Sequence, residues 1–375
     1  MRRRRFGPRK KLKWLLEWGR KRGISEERLR RMAKFSLWSD WFRKWRRMSF
    51  EEKVESAKKR YGIKEVSKKV KEVLWELERG KIDIEKIKGE KFVVCLPWLY
   101  ELSFSKDWGV RRDVAIALGN IGVWNDIVGE MLERLSCDEL GWVKEHVALA
   151  LGNIKVWNDV VGRILEGLSR NRGKYWNLGE CVALALGNIG VWNDVVSRIL
   201  KRLSRDGHEG VKINVAKALG EIRIWNDVVG KILERLGGDK SALVRVNVAD
   251  VLVGIKVWNK DVRKILEGLS KDPYSVVRKK VLEGLKKIKM DENTRRRLIE
   301  NIVTTDKIVE VAGRYFSELN YEKSYLVIEG LFRKRFDMER FLKNEKYREE
   351  LLDLVKAMSI ERLREFVFGK RNKLF

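Results

Sequence analysis

The sequence predicts an all-α protein built around a right-handed α-α solenoid of about six repeats. Three observations carry that prediction. A string close to ALGNIGVWND recurs five times, and its closing tryptophans, Trp124, Trp157, Trp192, Trp225 and Trp258, are 33, 35, 33 and 33 residues apart. Self-similarity at such a period is the mark of stacked supersecondary units. Around each recurrence the apolar residues fall at spacings of three and four, the period of a helix face. No strand-rich stretch interrupts the 375 residues.

In chain order, residues 1–48 read as a basic, tryptophan-rich arm followed by helices. The first 50 residues hold 19 Lys/Arg against the four acids Glu17, Glu26, Glu27 and Asp40, about half of the net charge of +29. The arm is broken by Gly7-Pro8, and a like-charge run this dense stays unfolded when free. Leu12, Leu15, Leu16 and Trp18 predict a short helix ending near Gly19. Ser25-Glu26-Glu27 opens another, with acids in its first turn. Trp38, Trp41, Phe42 and Trp45 then share one helical face, suited either to dock on the end of the array or to stack on bases.

Residues 49–104 are mixed in charge and read as a helical capping region. Ser49 with Glu52 forms a capping box, and a second helix is expected over 64–79. Residues 105–290 are the array, each unit two helices. The first helix is expected to run from the column Val110, Val143, Leu178, Val211, Val244 to the Leu before a Gly. Its core columns are Val114/Val147/Val182/Val215/Val248, Ala115/Ala148/Ala183/Ala216/Ala249 and Leu118/Leu151/Leu186/Leu219/Leu252, with the alanines allowing close helix approach. Gly119, Gly152, Gly187 and Gly220 are expected near the helix end, where glycine tolerates unusual backbone angles. Asn125, Asn158, Asn193, Asn226 and Asn259 are N-cap candidates for the second helix. Its apolar face is typified by Val160, Val161, Ile164, Leu165 and Leu168. Two short amphipathic helices cannot bury their faces alone, so the units must stack. A sixth unit runs from Asp272-Pro273 through Val277-Arg278 to Met290. Residues 291–375 read as helical, with Tyr315, Phe316, Tyr325, Leu331 and Phe332 as core.

The units resemble HEAT repeats, in particular the short variety of phycobilisome-lyase-like proteins, over about half of the chain. The resemblance rests on Val110-Arg111 with Ala115–Ile121 and on Val244-Arg245 with Ala249. Where that pattern often has Asp after the Gly turn, five units here have Trp, and only the sixth has Asp291. The resemblance implies that the second helices line a concave surface. It implies a fold far more than a chemistry. HEAT-like folds include an alkylpurine DNA glycosylase family that works with aromatic residues and an Asp. The Trp and Asp columns here repeat identically and mark no such single site.

Composition narrows the function. Cys95, Cys137 and Cys181 are an odd count at unrelated spacings, neither a disulfide framework nor a zinc pattern. With only His146 and His208, no Ser/His/Asp set and no phosphate-binding glycine loop, a metal, a cofactor or catalysis is not expected. The longest uncharged apolar run, Phe92–Tyr100, is too short to cross a bilayer. The charged start lacks a secretory core, so a cytoplasmic protein is expected. The absence of glutamine, the three threonines and the 37 % of charged residues suit an archaeal hyperthermophile.

The charge points first to nucleic acid or a ribonucleoprotein, with structured or ribosomal RNA ahead of DNA. Arg2, Arg3, Arg4, Arg5, Arg9, Lys10, Lys11, Lys13, Arg20, Lys21, Arg22, Arg43, Lys44, Arg46 and Arg47 would neutralise phosphates. Trp14 and Trp18 would stack on bases. In the array the sixth residue after each Trp is Glu130, Arg163, Arg198, Lys231 or Lys264. Arg198, Lys231 and Lys264 are the phosphate candidates, and residues 206–290, which hold the last two, are the more basic half of the array. Glu166, Glu234 and Glu267, three residues further on, could instead pair with those cations along each helix. The Trp column is either an aromatic ladder for bases or packing at the turn between helices. The second functional reading is a protein adaptor gripping a partner on the concave face. A basic helix over Lys10–Arg22 would also suit an anionic lipid surface, the reading ranked below both.

Overall fold

The computed structural model describes residues 26–170, 176–272, 274–315 and 344–346. The basic candidates from Arg2 to Arg22, with Trp14 and Trp18, lie outside the described residues. So do the side chains of the C-terminal core candidates Tyr315, Phe316, Tyr325, Leu331 and Phe332. All regular structure among the described residues is helical. The chain divides into two compact units, Met1–Ile222 and Arg223–Phe375.

The first unit begins with α1 (Glu26–Trp45), α2 (Phe50–Tyr61), α3 (Lys68–Glu78), a 3-10 turn (Glu90–Cys95) and α4 (Leu96–Leu102). Ser49 caps α2 as expected: its backbone N–H donates to Glu52 Oε2 (2.8 Å), and the Glu52 N–H donates to Ser49 Oγ (3.4 Å). The aromatic face of α1 is spent on packing. Trp38, Phe42 and Trp45 are buried. Trp38 meets Tyr100 edge-on (4.5 Å between centroids) and Trp45 meets Trp98 (4.6 Å). Trp41, half-buried, donates to Ser56 Oγ (3.2 Å). These rings pack on the region that precedes the array, where Trp98 and Tyr100 lie.

Three helix pairs follow: α5 (Trp108–Ile121) with α6 (Asp126–Leu135), α7 (Gly141–Ile154) with α8 (Asp159–Leu168), and α9 (Trp176–Ile189) with α10 (Asp194–Leu203). Then comes α11 (Glu209–Ile222). The second unit holds α12 (Asp227–Gly237), the pair α13 (Ala242–Ile255) and α14 (Lys260–Ser270), α15 (Ser275–Leu285) and α16 (Glu292–Tyr315). Val114, Val147, Val182, Leu118, Leu151 and Leu186 are buried, as their columns predict. Asn125, Asn158, Asn193, Asn226 and Asn259 all N-cap their helices, each side-chain oxygen accepting from two backbone N–H groups of the first turn at about 3 Å.

The glycine column needs correction. Gly119, Gly152 and Gly187 lie inside their helices and do not have positive φ. The helices run on to Ile121, Ile154 and Ile189, and the left-handed residue comes next: Gly122 (φ 72°), Lys155 (56°), Gly190 (71°), and in the later repeats Arg223 (55°) and Lys256 (56°). The glycines serve helix contact instead. A Cβ on Gly119 would stand 2.8 Å from Ala150 Cα, on Gly152 2.9 Å from Ala185 Cα, and on Gly187 3.0 Å from Ala218 Cα. The close approach therefore uses the second alanine of each Ala-x-Ala-Leu-Gly string.

Candidate protein-binding face

The arginine of the Val-Arg pair ties repeats together. Arg111 forks onto Asp138 (Nε–Oδ2 2.5 Å, Nη2–Oδ1 3.0 Å), and its Nη1 donates to the carbonyls of Ser105 and Lys106. Arg245 repeats the arrangement on Asp272 (2.5 and 3.0 Å) and on the carbonyls of Asp239 and Lys240, with both side chains buried. Arg278 pairs with Asp306. Asp138 loses solvation, which alone would raise its pKa, but the Arg111 fork and the Leu140 N–H outweigh that and hold it below the usual range.

The tryptophan column is half-buried in all five repeats. Trp124, Trp157 and Trp225 lie over their own second helix, against glycines where a Cβ would meet the indole at 3.0 Å (Gly129), 3.2 Å (Gly162) and 3.3 Å (Gly230). That is packing at the turn between helices. Cys95 and Cys181 are poor nucleophiles. Burial raises both thiols, Cys181 to about 12, with the charges of Glu145 and Glu180 adding to the effect.

The second helices do not present a bare phosphate stripe. Arg163 pairs with Glu133 (3.0 Å), Arg198 with Glu166 (3.7 Å) and Lys264 with Glu234 (2.6 Å). Arg297 pairs with Glu267. Each acid comes from the preceding second helix, and not from three residues along the same helix as the sequence suggested. Stacking sets the acid of one helix beside the base of the next. Lys231 makes no ion pair within 4 Å among the described residues, and Lys201 stands where the other second helices carry that acid. Nearer the N-terminus, Arg43 pairs with Asp40 and Arg46 with Glu101 (2.9 Å), while Lys44 and Arg47 are exposed. Such exposed pairs contribute less than about 1 kcal/mol each, but they neutralise the positive field. The cleft of about 220 Å³ between α6 and α8 is lined by Trp124, Asp126, Glu130, Glu133 and Asp159 and carries the wrong sign for phosphate.

Helix spacing moves attention to the first helices. In both units successive first helices approach each other more closely than successive second helices do. In the first unit that closer layer is α5, α7, α9 and α11.

This layer keeps apolar groups outside the core. Trp142 is 56 % exposed, Leu184 42 % and Trp108 40 %, with Ile116 and Leu149 half-buried. Ile116, Leu149 and Leu184 hold one register position on successive first helices and make a ridge across three repeats. Arg112 sits over Trp108 (5.6 Å to the ring centroid) and pairs with Asp113 (2.8 Å). His146 Nδ1 donates to the Trp142 carbonyl (2.7 Å). Glu145 and Glu180 flank Cys181 without an ion pair within 4 Å among the described residues, and loss of solvation raises Glu145 against the opposing influence of His146. Sequence reasoning missed this face, although a signal was there. The runs Val114–Leu118, Val147–Leu151 and Val182–Leu186 are each five apolar residues, more than one helix face can bury.

The family described as HEAT repeats matches residues 196–286. Solved structures that the chain matches include designed repeat proteins. A designed armadillo repeat protein in complex with the peptide (KR)4 is 18 % identical, covers 55 % of this chain and 99 % of its own, and has a TM-score of 0.35. The complex of CpcE and CpcF of phycocyanin lyase from Nostoc sp. PCC7120 is 15 % identical, covers 67 % of this chain and 94 % of its own, and has a TM-score of 0.31. A computationally designed armadillo repeat protein for modular peptide recognition is 19 % identical, covers 52 % of this chain and 100 % of its own, and has a TM-score of 0.36. These likenesses concern the all-α solenoid fold alone. No curated protein matches the sequence. Among the described residues, no helix is long and apolar enough to cross a membrane.

Proposed function

We propose that this chain is a non-catalytic protein-binding scaffold whose partner lies across α5, α7 and α9. The repeat-solenoid fold suits such a role. The observation that carries the reading is the register row Ile116–Leu149–Leu184, with Trp142 exposed at the start of α7. An apolar stripe left on the tighter layer of a stack is a surface that gains by being covered. The test is selection of a displayed random peptide library on the full chain, followed by affinity measurement. Selected peptides should lose at least about tenfold in affinity for Leu184→Asp, the order expected from removing a central apolar anchor. Equal binding by wild type and Leu184→Asp would refute the reading.

A second reading, nucleic-acid or ribonucleoprotein binding with RNA preferred, is favoured by one observation, the 19 Lys/Arg among the first 50 residues. It places the contact in Arg2–Arg22 and in the exposed Lys44 and Arg47. The paired Arg198 and Lys264 would serve it less, because their charges are already met by Glu166 and Glu234.

A further inference from the structure

Three tryptophans are exposed among the described residues: Trp75, Trp108 and Trp142. Their surroundings differ in charge. The cation over Trp108, Arg112, is paired with Asp113. Glu145 stands one turn from Trp142. Trp75, on α3, lies among cations instead. Lys68, Lys71, Trp75 and the C-cap residue Arg79 follow at spacings of three and four, which sets them on one stripe of the helix. All four are exposed, and the three cations make no ion pair within 4 Å among the described residues. The Arg79 guanidinium rests over the Trp75 ring, 4.8 Å from its centroid, and Phe50 meets the same ring in a T-shaped contact at 4.8 Å. Glu72 is the one acid on the stripe, so three cations less one acid leave it at +2. The other side of α3, with Val70, Val73, Leu74 and Leu77, is buried.

We infer that this stripe binds single-stranded nucleic acid, with Trp75 stacking on an unpaired base and Lys68, Lys71 and Arg79 meeting the flanking phosphates. The inference rests on the nucleic-acid reading above and adds a contact outside the basic arm. An exposed indole gives any base a face to stack on, and cations a turn away neutralise the strand. A stacked base is worth roughly 5- to 150-fold in affinity, whereas an exposed cation over a ring is worth roughly 2- to 5-fold. The base therefore wins the ring, and the guanidinium of Arg79 is released to phosphate. A duplex keeps its bases in its own stack, so the site selects unpaired strands. A lipid surface fits the stripe less well, because α3 has spent its apolar face on the core.

The test measures binding of the full chain to a labelled single-stranded RNA of about 12 nucleotides, to the duplex of that RNA and to a wholly abasic strand of equal length, across a salt series. Trp75→Ala should weaken the single strand roughly 5- to 150-fold, and Trp75→Phe roughly threefold or less, because the smaller ring still stacks. Trp75→Ala should leave the duplex and the abasic strand unchanged. Lys68→Gln/Lys71→Gln/Arg79→Gln, made at exposed positions, should flatten the slope of log affinity against log salt by about 2 for the single strand. Thermal melts confirm that each variant is folded, and if Trp75→Ala is not, the slope of the triple variant decides. Unchanged single-strand binding by folded Trp75→Ala, an equal loss on the abasic strand, or an unchanged slope in the triple variant would each overturn the inference and leave the nucleic-acid reading to the arm. Loss of binding to phosphatidylglycerol vesicles in the triple variant, with RNA binding unchanged, would assign the stripe to lipid and overturn it too. Absence of RNA binding by the full chain at low salt would sink both the inference and the reading beneath it.

Discussion

At the residue scale, the glycines divide into two physical kinds. Gly119 is shaped by a neighbour's backbone, because a Cβ there would stand 2.8 Å from Ala150 Cα. Gly268 has open space where its Cβ would be, inside α14. Gly119→Ala should therefore lower stability by about 1–3 kcal/mol through overpacking. Gly268→Ala should raise it by about 0.5–1 kcal/mol through helix propensity. Urea melts of the two variants against wild type check both signs, and equal shifts would remove the distinction. The recurrence of Gly119, Gly152, Gly187 and Gly220 was plain in the sequence. Its reason was not, because a helix-ending glycine and a helix-contact glycine look the same until the neighbouring helix is in place.

At the element scale, the joints between repeats rest on side chains that the sequence showed only as a motif. Arg245 lies with its fork on Asp272, both side chains buried, and its remaining amino group on two carbonyls. Arg245→Ala would take from the buried Asp272 the guanidinium that neutralises it, a loss of about 3–5 kcal/mol. Thermal or denaturant unfolding of that variant measures it, and a change under about 1 kcal/mol would show that the fork is not a joint. The ion pairs along the second helices are of the other kind. They are exposed, and their value lies in cancelling charge. Here the sequence misled, because the pairing partners are about 30 residues apart across the stack and not three apart on one helix.

At the scale of the whole molecule, charge and shape point to different parts of the chain. The excess of positive charge is greatest in the first 50 residues, while the apolar ridge lies on α5, α7 and α9. The nucleic-acid reading therefore stands or falls on salt dependence. If it holds, affinity for a structured RNA falls steeply with salt, and deletion of residues 1–47 flattens the slope of log affinity against log salt by several charges. If RNA binding is absent at low salt, or if the slope survives the deletion, the arm is not a phosphate contact. Peptide binding to the ridge should be far less sensitive to salt, because its core is apolar.

The sequence by itself determined the class of fold, the period of the repeat, the N-caps and most of the buried columns. All of these are local: they follow from residue spacing along one helix, from a cap and its first turn, and from recurrence. Tertiary structure decided which helix layer is the tighter one, why each glycine is a glycine, and which acid meets which base. Those facts depend on the register between neighbouring helices, and a single repeat does not encode that register. It arises only when helices approach closely enough for a missing Cβ to matter.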